Sequence, residues 1–259
     1  MHRRLALVAA AAALALVAAS GAATHPFPRM PASCVRSDYA SAGAAVRAAL
    51  CLPKAPGLVP VAIVLHGCGG FDTLDHRLAV ELPRAGIATL YVDYFDPVPP
   101  AGTKGYCNGG GRGSFRDVFS VWQQEVVDAV AHLRAVRDVD AHRVALVGWS
   151  LGGGLAVFAA LEHPTLYRAL VGFSTGFYGG VPGVSFKGMP PALILSGGPH
   201  DAIPLADSEA LVGALKAAGV HASLYDYGDG VHRWPRAQGT AGIATAERFL
   251  RRALGISSR

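Results

Sequence analysis

The chain lacks the residue spacings that mark common metal and nucleotide sites. It contains no H-E-x-x-H pair and no C-x-x-C pair, so the usual zinc patterns are absent. The glycine cluster at 109–113 is not followed by Lys-Ser/Thr, and it does not form G-x-G-x-x-G between a strand and a helix. This excludes a phosphate loop and a dinucleotide fingerprint. We therefore expect no metal ion and no organic cofactor.

Charge and long apolar runs are also scarce. Only 16% of the residues are charged, and the net charge of +5 falls to 21 basic against 18 acidic residues when Arg3 and Arg4 are set aside. A positive charge this small and scattered does not predict nucleic-acid binding. The apolar run from Leu5 to Ala19 is shorter than the roughly 20 residues of a membrane-spanning helix. No stable membrane insertion is predicted.

The first 23 residues have the three regions of a secretory signal peptide. Arg3 and Arg4 precede the apolar run, and small residues follow it, which predicts cleavage near Ala22 or Ala23. An uncleaved membrane anchor is the alternative. We expect an exported protein, periplasmic or extracellular, with a proline-rich surface segment at 24–43 and one catalytic domain at 44–259.

Export changes the interpretation of the cysteines. The chain has four, Cys34, Cys51, Cys68 and Cys107, and an even number in an oxidising compartment favours two disulfides over a metal site. Three pairings are possible. Pairs Cys34–Cys51 and Cys68–Cys107 are preferred because each joins neighbouring segments of the fold proposed below, and buried thiols are the alternative.

Buried strands alternate with helices along the chain, and 51% of the residues are hydrophobic, enough for a sizeable core. Strands are predicted at 44–52, 59–65, 87–92, 144–147, 169–173, 192–196 and 221–227, and helices at 74–84, 116–138, 151–163, 205–218 and 240–254. The alternation, without repeats or a polar linker, predicts a doubly wound, mostly parallel α/β sheet. The excursion at 174–190 is too short for a large lid domain, so an open site is expected.

A serine lies at the apex of the central strand-turn-helix. Gly148-Trp149-Ser150-Leu151-Gly152 follows the run Val144–Val147 and precedes a helix-forming stretch, as in a nucleophile elbow. At this sharp turn, side chains two residues before and after the serine would collide, and Gly148 and Gly152 remove them. A chance pattern in a glycine-rich chain is the alternative. We predict that Ser150 is a nucleophile.

An aspartate and a histidine follow the serine, which gives the chain order serine, aspartate, histidine. Asp201 lies just past the strand at 192–196, and His232 lies on the loop after the last strand. A turn or helix-cap aspartate and a solvated loop histidine are the alternatives. The order favours a Ser150-Asp201-His232 triad.

Two backbone N–H groups are candidate oxyanion donors. Leu151 begins the helix after the elbow, where N–H groups are unpaired and the helix dipole is positive. The glycine-rich turn after the strand at 59–65 carries Cys68, whose N–H is the second candidate. His66, at the end of that strand, is assigned a structural hydrogen-bonding role in preference to a catalytic one.

These motifs resemble the α/β-hydrolase superfamily and, within it, the dienelactone hydrolase family, over roughly residues 44–254. The resemblance is carried by the 64–70 segment with His66 and Cys68, the elbow at 148–153, Asp201 in its Gly-Pro-His-Asp loop, and Val231-His232. Dienelactone hydrolases proper use a cysteine nucleophile, whereas position 150 is serine. The resemblance therefore implies a serine-nucleophile variant.

The sequence thus predicts a serine hydrolase that cleaves carboxylic esters or lactones of small substrates through an acyl-enzyme. A serine peptidase or thioesterase on the same triad is one alternative. A non-catalytic exported binding protein with this fold is another. Residues alone do not fix the acyl preference or the oligomeric state.

Overall fold

The structure is a computed structural model that describes residue 27 and residues 29–95, 112–176, 184–228, 232 and 234–257, with the backbone alone at 112–118. The predicted signal peptide, Cys107 and Val231 lie outside the described residues.

Ten strands and five α-helices are present in the described ranges. The strands are β1 (Cys34–Arg36), β2 (Tyr39–Ser41), β3 (Ala44–Val46), β4 (Ala48–Cys51), β5 (Val59–Leu65), β6 (Ala88–Val92), β7 (Val139–Trp149), β8 (Ala169–Phe173), β9 (Ala192–Ser196) and β10 (Ala222–Asp226). The helices are α1 (Thr73–Arg84), α2 (Arg112–Leu133), α3 (Leu151–Glu162), α4 (Leu205–Ala217) and α5 (Arg236–Ala253), with a 3-10 turn at Pro164–Leu166.

Eight of these strands form one sheet, in the order β1-β4-β6-β5-β7-β8-β9-β10. Strands β5 to β10 all pair in parallel. At one edge, β4 runs antiparallel to β6 and β1 antiparallel to β4. The predicted doubly wound, mostly parallel sheet is confirmed.

Helices cover both faces of the sheet. Leu78 of α1 and Leu250 of α5 pack against one face, and Trp122 of α2, Leu155 of α3 and Leu211 of α4 pack against the other. Because both faces are covered, β5, β6, β8 and β9 are buried along their whole length. This is why the continuous aliphatic runs predict those strands well.

The N-terminal strands differ from the predicted single strand at 44–52. Ala42 and Gly43 both have positive φ, 47° and 83°, and turn β2 back onto β3 as a two-stranded hairpin. The chain then passes through Arg47, and β4 joins the main sheet. The 34–41 part of the predicted surface segment therefore also contributes β1 and β2.

The described residues between β8 and β9, 174–176 and 184–191, form neither helix nor strand. Within the described ranges, no helix combines the length and apolarity that crossing a membrane requires.

Parallel pairing brings the carboxyl ends of β5 and β7 to β10 to one edge of the sheet. Leu65 is in register with Gly148, Trp149 with Phe173, and Phe173 with Leu195. The turns that carry the predicted site residues follow these strands directly, so the topology gathers them at this edge.

Candidate active site

Ser150 occupies a strained turn between β7 and α3. Its φ of 54° and ψ of −116° are unfavourable for a residue with a side chain. A Cβ at Gly148 would overlap the Gly152 carbonyl, and a Cβ at Gly152 would overlap the carbonyls of Leu65 and His66. The two glycines are therefore required by close backbone approach, as the motif predicts.

His232 lies between the serine and the aspartate. Its Nε2 is 2.9 Å from Ser150 Oγ, and its Nδ1 is 2.6 Å from Asp201 Oδ1. Because an ionised carboxylate only accepts hydrogen bonds, Nδ1 carries a proton, and in the neutral imidazole Nε2 then accepts from the serine hydroxyl. The structure thus brings all three predicted residues together in a hydrogen-bonded chain.

The Asp201 carboxylate is buried and held by four donors. Oδ1 accepts from His232 Nδ1 and from the Ile203 N–H at 3.1 Å. Oδ2 accepts from the Gly197 N–H at 3.1 Å and from the Ser174 hydroxyl. Burial alone would raise the pKa of Asp201, but the hydrogen bonds from His232, Ser174 and Ile203 outweigh it and hold that pKa below its usual value.

Trp149 packs against the imidazole ring of His232. Its ring stacks on His232 with centroids 5.2 Å apart and an interplanar angle of 26°. A Cβ at Gly67 would come within 2.8 Å of the same indole, so the turn after β5 lies directly against it. The residue before Ser150 thus packs directly against the His232 ring.

The two predicted oxyanion donors lie on touching turns. Leu151 is the first residue of α3, so its N–H has no acceptor within the helix. Cys68 lies in the turn closed by the Gly70 N–H donating to the Gly67 carbonyl at 3.0 Å. This turn contacts the elbow through the Gly152 approach to Leu65 and His66. Both N–H groups therefore belong to the same edge of the site.

His66 has the environment of a structural residue. It is fully buried, its Nδ1 is 2.7 Å from the Gly67 carbonyl, and its ring stacks on Tyr94 at 4.2 Å. Its Nε2 faces Asp93 Oδ1 at 3.6 Å. This agrees with the structural role expected for it.

One predicted disulfide is present between Cys34 and Cys51, which are cross-strand partners on β1 and β4 with Cα atoms 4.1 Å apart. Cys68 is also disulfide-bonded. Its predicted partner Cys107 lies outside the described residues, so that pairing stays a prediction.

A cleft of about 890 Å³ opens beside the imidazole. Its lining includes the aromatic residues Phe71, Trp149 and Trp234, together with Cys68 and His232. A second cleft of about 860 Å³ lies at the opposite edge of the sheet, beside Pro60 and Arg143, and is lined by none of the three predicted residues. Of the three predicted residues, His232 lines the first cleft, so this cleft adjoins the hydrogen-bonded chain.

Sequence reasoning missed Ser174 and Trp234, which join the same network. Ser174 directly follows β8 as Ser150 follows β7, and its hydroxyl lies between Asp201 and Trp234 Nε1. A polar residue directly after a buried parallel strand is the signal that could have found it. The described ranges contain no cluster of three side chains able to hold a metal ion.

Comparison with known proteins gives a consistent result. The model of the dienelactone hydrolase family matches residues 46–254. Two uncharacterized proteins from two strains of Mycobacterium tuberculosis are each 28% identical over 178 residues, covering 61% of this chain. The chain spans 58% of the length of these curated relatives.

Solved structures share the fold. A dienelactone hydrolase-like promiscuous phosphotriesterase from metagenomic libraries has a TM-score of 0.72 at 16% identity, covering 85% of this chain and 98% of that one. Est1E from Butyrivibrio proteoclasticus has a TM-score of 0.65 at 18% identity, covering 85% and 99%. EstE1, a thermostable carboxylesterase from a metagenomic library, has a TM-score of 0.65 at 19% identity, covering 88% and 91%.

Proposed function

Because the chain belongs to the dienelactone hydrolase family, we propose that it is a serine hydrolase of carboxylic esters or lactones, with Ser150 as nucleophile, His232 as base and Asp201 as the carboxylate that orients the base. The observation that carries this proposal is the position of His232, 2.9 Å from the serine oxygen and 2.6 Å from the carboxylate.

The proposed reaction is a two-step acyl transfer. His232 Nε2 takes the Ser150 proton as Oγ attacks the carbonyl carbon, and the resulting imidazolium then protonates the leaving alkoxide. Water attacks the acyl-enzyme as the same histidine accepts its proton, and the imidazolium then returns that proton to Ser150 Oγ as the acyl–oxygen bond breaks and the acid is released. Asp201 fixes the tautomer and stabilises the imidazolium without itself being protonated.

The backbone N–H groups of Leu151 and Cys68 are the proposed oxyanion donors. They would bind the oxygen that becomes negative in the tetrahedral intermediate, and each such donor contributes about 3 kcal/mol to transition-state stability in comparable enzymes. The positive end of the α3 dipole adds to the same field.

The cleft supports small substrates with an apolar part. Its volume of about 890 Å³ lies in the range of small-molecule sites, and Phe71, Trp149 and Trp234 supply flat apolar surface. Among the structurally similar proteins, EstE1 is named a carboxylesterase, which agrees with this substrate class.

Export is the second part of the proposal. It depends on the signal-peptide pattern of residues 1–23, which lie outside the described residues, and the Cys34–Cys51 disulfide is compatible with an oxidising compartment. The catalytic domain is proposed to span 44–259, preceded by the 24–43 segment.

Hydrolysis of p-nitrophenyl acetate and of a small lactone tests the proposed function. We expect turnover by the native chain and loss of turnover in Ser150→Ala, His232→Ala and Asp201→Ala, each with an unchanged far-UV spectrum. A parallel panel of thioesters and peptide p-nitroanilides should be hydrolysed far more slowly. Turnover retained in Ser150→Ala would refute the assignment, and faster peptide cleavage would favour a peptidase.

A further inference from the structure

The hydroxyl of Ser174 lies where three loops of the site meet. Ser174 directly follows β8 and is 1% exposed. Its Oγ contacts Asp201 Oδ2 on the loop after β9, and it is 2.8 Å from Trp234 Nε1 on the segment after β10. One buried oxygen therefore links the acid to the segment that carries the base.

The chemistry of the partners fixes the direction of both hydrogen bonds. An indole N–H can only donate, so the Ser174 oxygen accepts from Trp234. An ionised carboxylate can only accept, so the Ser174 proton is directed to Asp201. A hydroxyl satisfies both demands at once, whereas an alanine or glycine at this position satisfies neither.

The backbone of Ser174 is strained to reach this position. Its φ is 45°, and among the described residues the other non-glycine residues with positive φ are Ala42 in a hairpin turn and Ser150 itself. Such a conformation is unfavourable for a residue with a side chain and easily adopted by glycine. The side chain at 174 is therefore placed at a cost to the fold.

Trp234 couples the Ser174 hydroxyl to the base. It lies two residues after His232, and its ring packs edge-on against Phe173 at 5.5 Å. A Cβ at Gly242 would come within 2.5 Å of the same ring, so the indole fills a fitted slot. The indole N–H then aims at Ser174, which anchors the chain near His232.

We propose that Ser174 is a positioning residue that holds the Asp201 carboxylate toward His232 and, through Trp234, fixes the segment that carries the base. This proposal rests on the proposed function of the triad. Ser174 does not touch substrate, so its effect falls on the chemical step and leaves substrate binding unchanged.

Two variants separate the hydroxyl from the backbone strain. Ser174→Ala and Ser174→Gly both remove the hydroxyl, but only glycine relieves the positive φ. We expect kcat for p-nitrophenyl acetate to fall about tenfold in both variants, as expected for one charge-assisted hydrogen bond, with KM unchanged. Ser174→Gly should have the higher melting temperature of the two.

A double-mutant cycle distinguishes positioning from a structural role. If Ser174 acts through Asp201, adding Ser174→Ala to Asp201→Asn should cause less than a twofold further loss of kcat. A structural role would give the same tenfold loss in both backgrounds. Trp234→Phe keeps the ring and removes only the N–H, and its smaller loss of kcat should vanish in the Ser174→Ala background.

The outcomes are distinct. Turnover retained in Ser150→Ala would show that the proposed function itself is wrong. Loss in Ser150→Ala with full kcat in both Ser174 variants would overturn the positioning role alone, as would additive losses in the cycle. If neither Ser174 variant folds, the Trp234→Phe comparison decides, and unchanged kcat there would overturn the proposal.

Discussion

Two serines end adjacent parallel strands in almost the same way and have different surroundings. Ser150 follows β7 and Ser174 follows β8, with φ of 54° and 45°, and both are buried, at 7% and 1% exposure. Ser150 Oγ contacts an imidazole nitrogen, whereas Ser174 Oγ lies between a carboxylate and an indole N–H. The strained turn places an oxygen at the sheet edge, and its partners determine what that oxygen can do.

The partners differ in whether they can remove a proton. In the proposed mechanism, His232 Nε2 accepts the Ser150 proton as the serine oxygen attacks the substrate. Asp201 already accepts four hydrogen bonds, and its lowered pKa makes it a weak base toward Ser174. Ser174 is also almost fully buried, and its oxygen accepts a hydrogen bond from Trp234. The comparison predicts a reacting serine and a supporting one.

The largest expected effect compares glycine at the two positions. Ser150→Gly should lower kcat at least about 10⁴-fold because the nucleophile is lost. Ser174→Gly should lower it only about tenfold. Both relieve a positive φ, so both should change the unfolding free energy by no more than about 1 kcal/mol. Steady-state kinetics measures the two losses of kcat, and urea unfolding measures the two changes in unfolding free energy. Equal losses of kcat would contradict the different roles of the two serines.

The second prediction concerns the stability of the protein when a glycine near either serine is replaced by alanine. Gly152→Ala drives a Cβ into two backbone carbonyls and should cost about 3 kcal/mol or more. Gly172→Ala places a Cβ 2.8 Å from Thr175 Cβ, a smaller overlap than the one at Gly152, so a smaller cost of about 1–2 kcal/mol is expected.

Gly213 in α4 is the matched control for these substitutions. A Cβ there meets nothing within 4 Å, so Gly213→Ala should stabilise the protein by about 0.5–1 kcal/mol. Chemical unfolding of the three variants gives the order. A milder effect at Gly152 than at Gly172 would contradict the close approach at the elbow.

The smallest effect is a pH dependence of stability. The pKa of Asp201 is lower in the folded protein than in the unfolded chain. The ionised carboxylate therefore adds to the free energy of unfolding above its ordinary pKa of 3.8, and this stabilisation is lost as pH falls through the lower folded value. Removing the Ser174 hydroxyl raises the folded pKa toward the ordinary one. Urea unfolding from pH 6 to pH 2 should show a smaller acid loss in Ser174→Ala than in the native protein.

Ser150→Ala is the control for the acid experiment, because Ser150 does not touch Asp201. Its acid loss should match that of the native chain, and Asp201→Asn should lack the contribution altogether. An identical acid loss in Ser174→Ala and in the native protein would show that the Ser174 hydroxyl does not stabilise the carboxylate.

Buried strands and the turn at Ser150 could be predicted from the sequence because each has a local sequence pattern. These patterns are the continuous aliphatic run of β5 and the glycines beside Ser150. The observed helix ends agree less well with the predicted ones. For example, α5 begins at Arg236, four residues before its predicted start. A helix end depends on tertiary packing as well as on local propensity.

Long-range relations were harder to predict. At Arg47 the chain passes from the β2-β3 hairpin to the main sheet. This passage depends on the Ala42-Gly43 turn and on pairing with the edge of β6, which no run of hydrophobic residues encodes. The role of Ser174 depends on Asp201 and Trp234, which are 27 and 60 residues away. A single serine after a strand has no motif of its own, so only the assembled network reveals it.

Reaction with a fluorophosphonate probe, followed by peptide mass mapping, identifies the reactive serine. We expect one modified residue, Ser150, with Ser174 unmodified and with labelling lost in His232→Ala. Labelling of Ser174, or a folded protein that does not react at Ser150, would contradict this expectation.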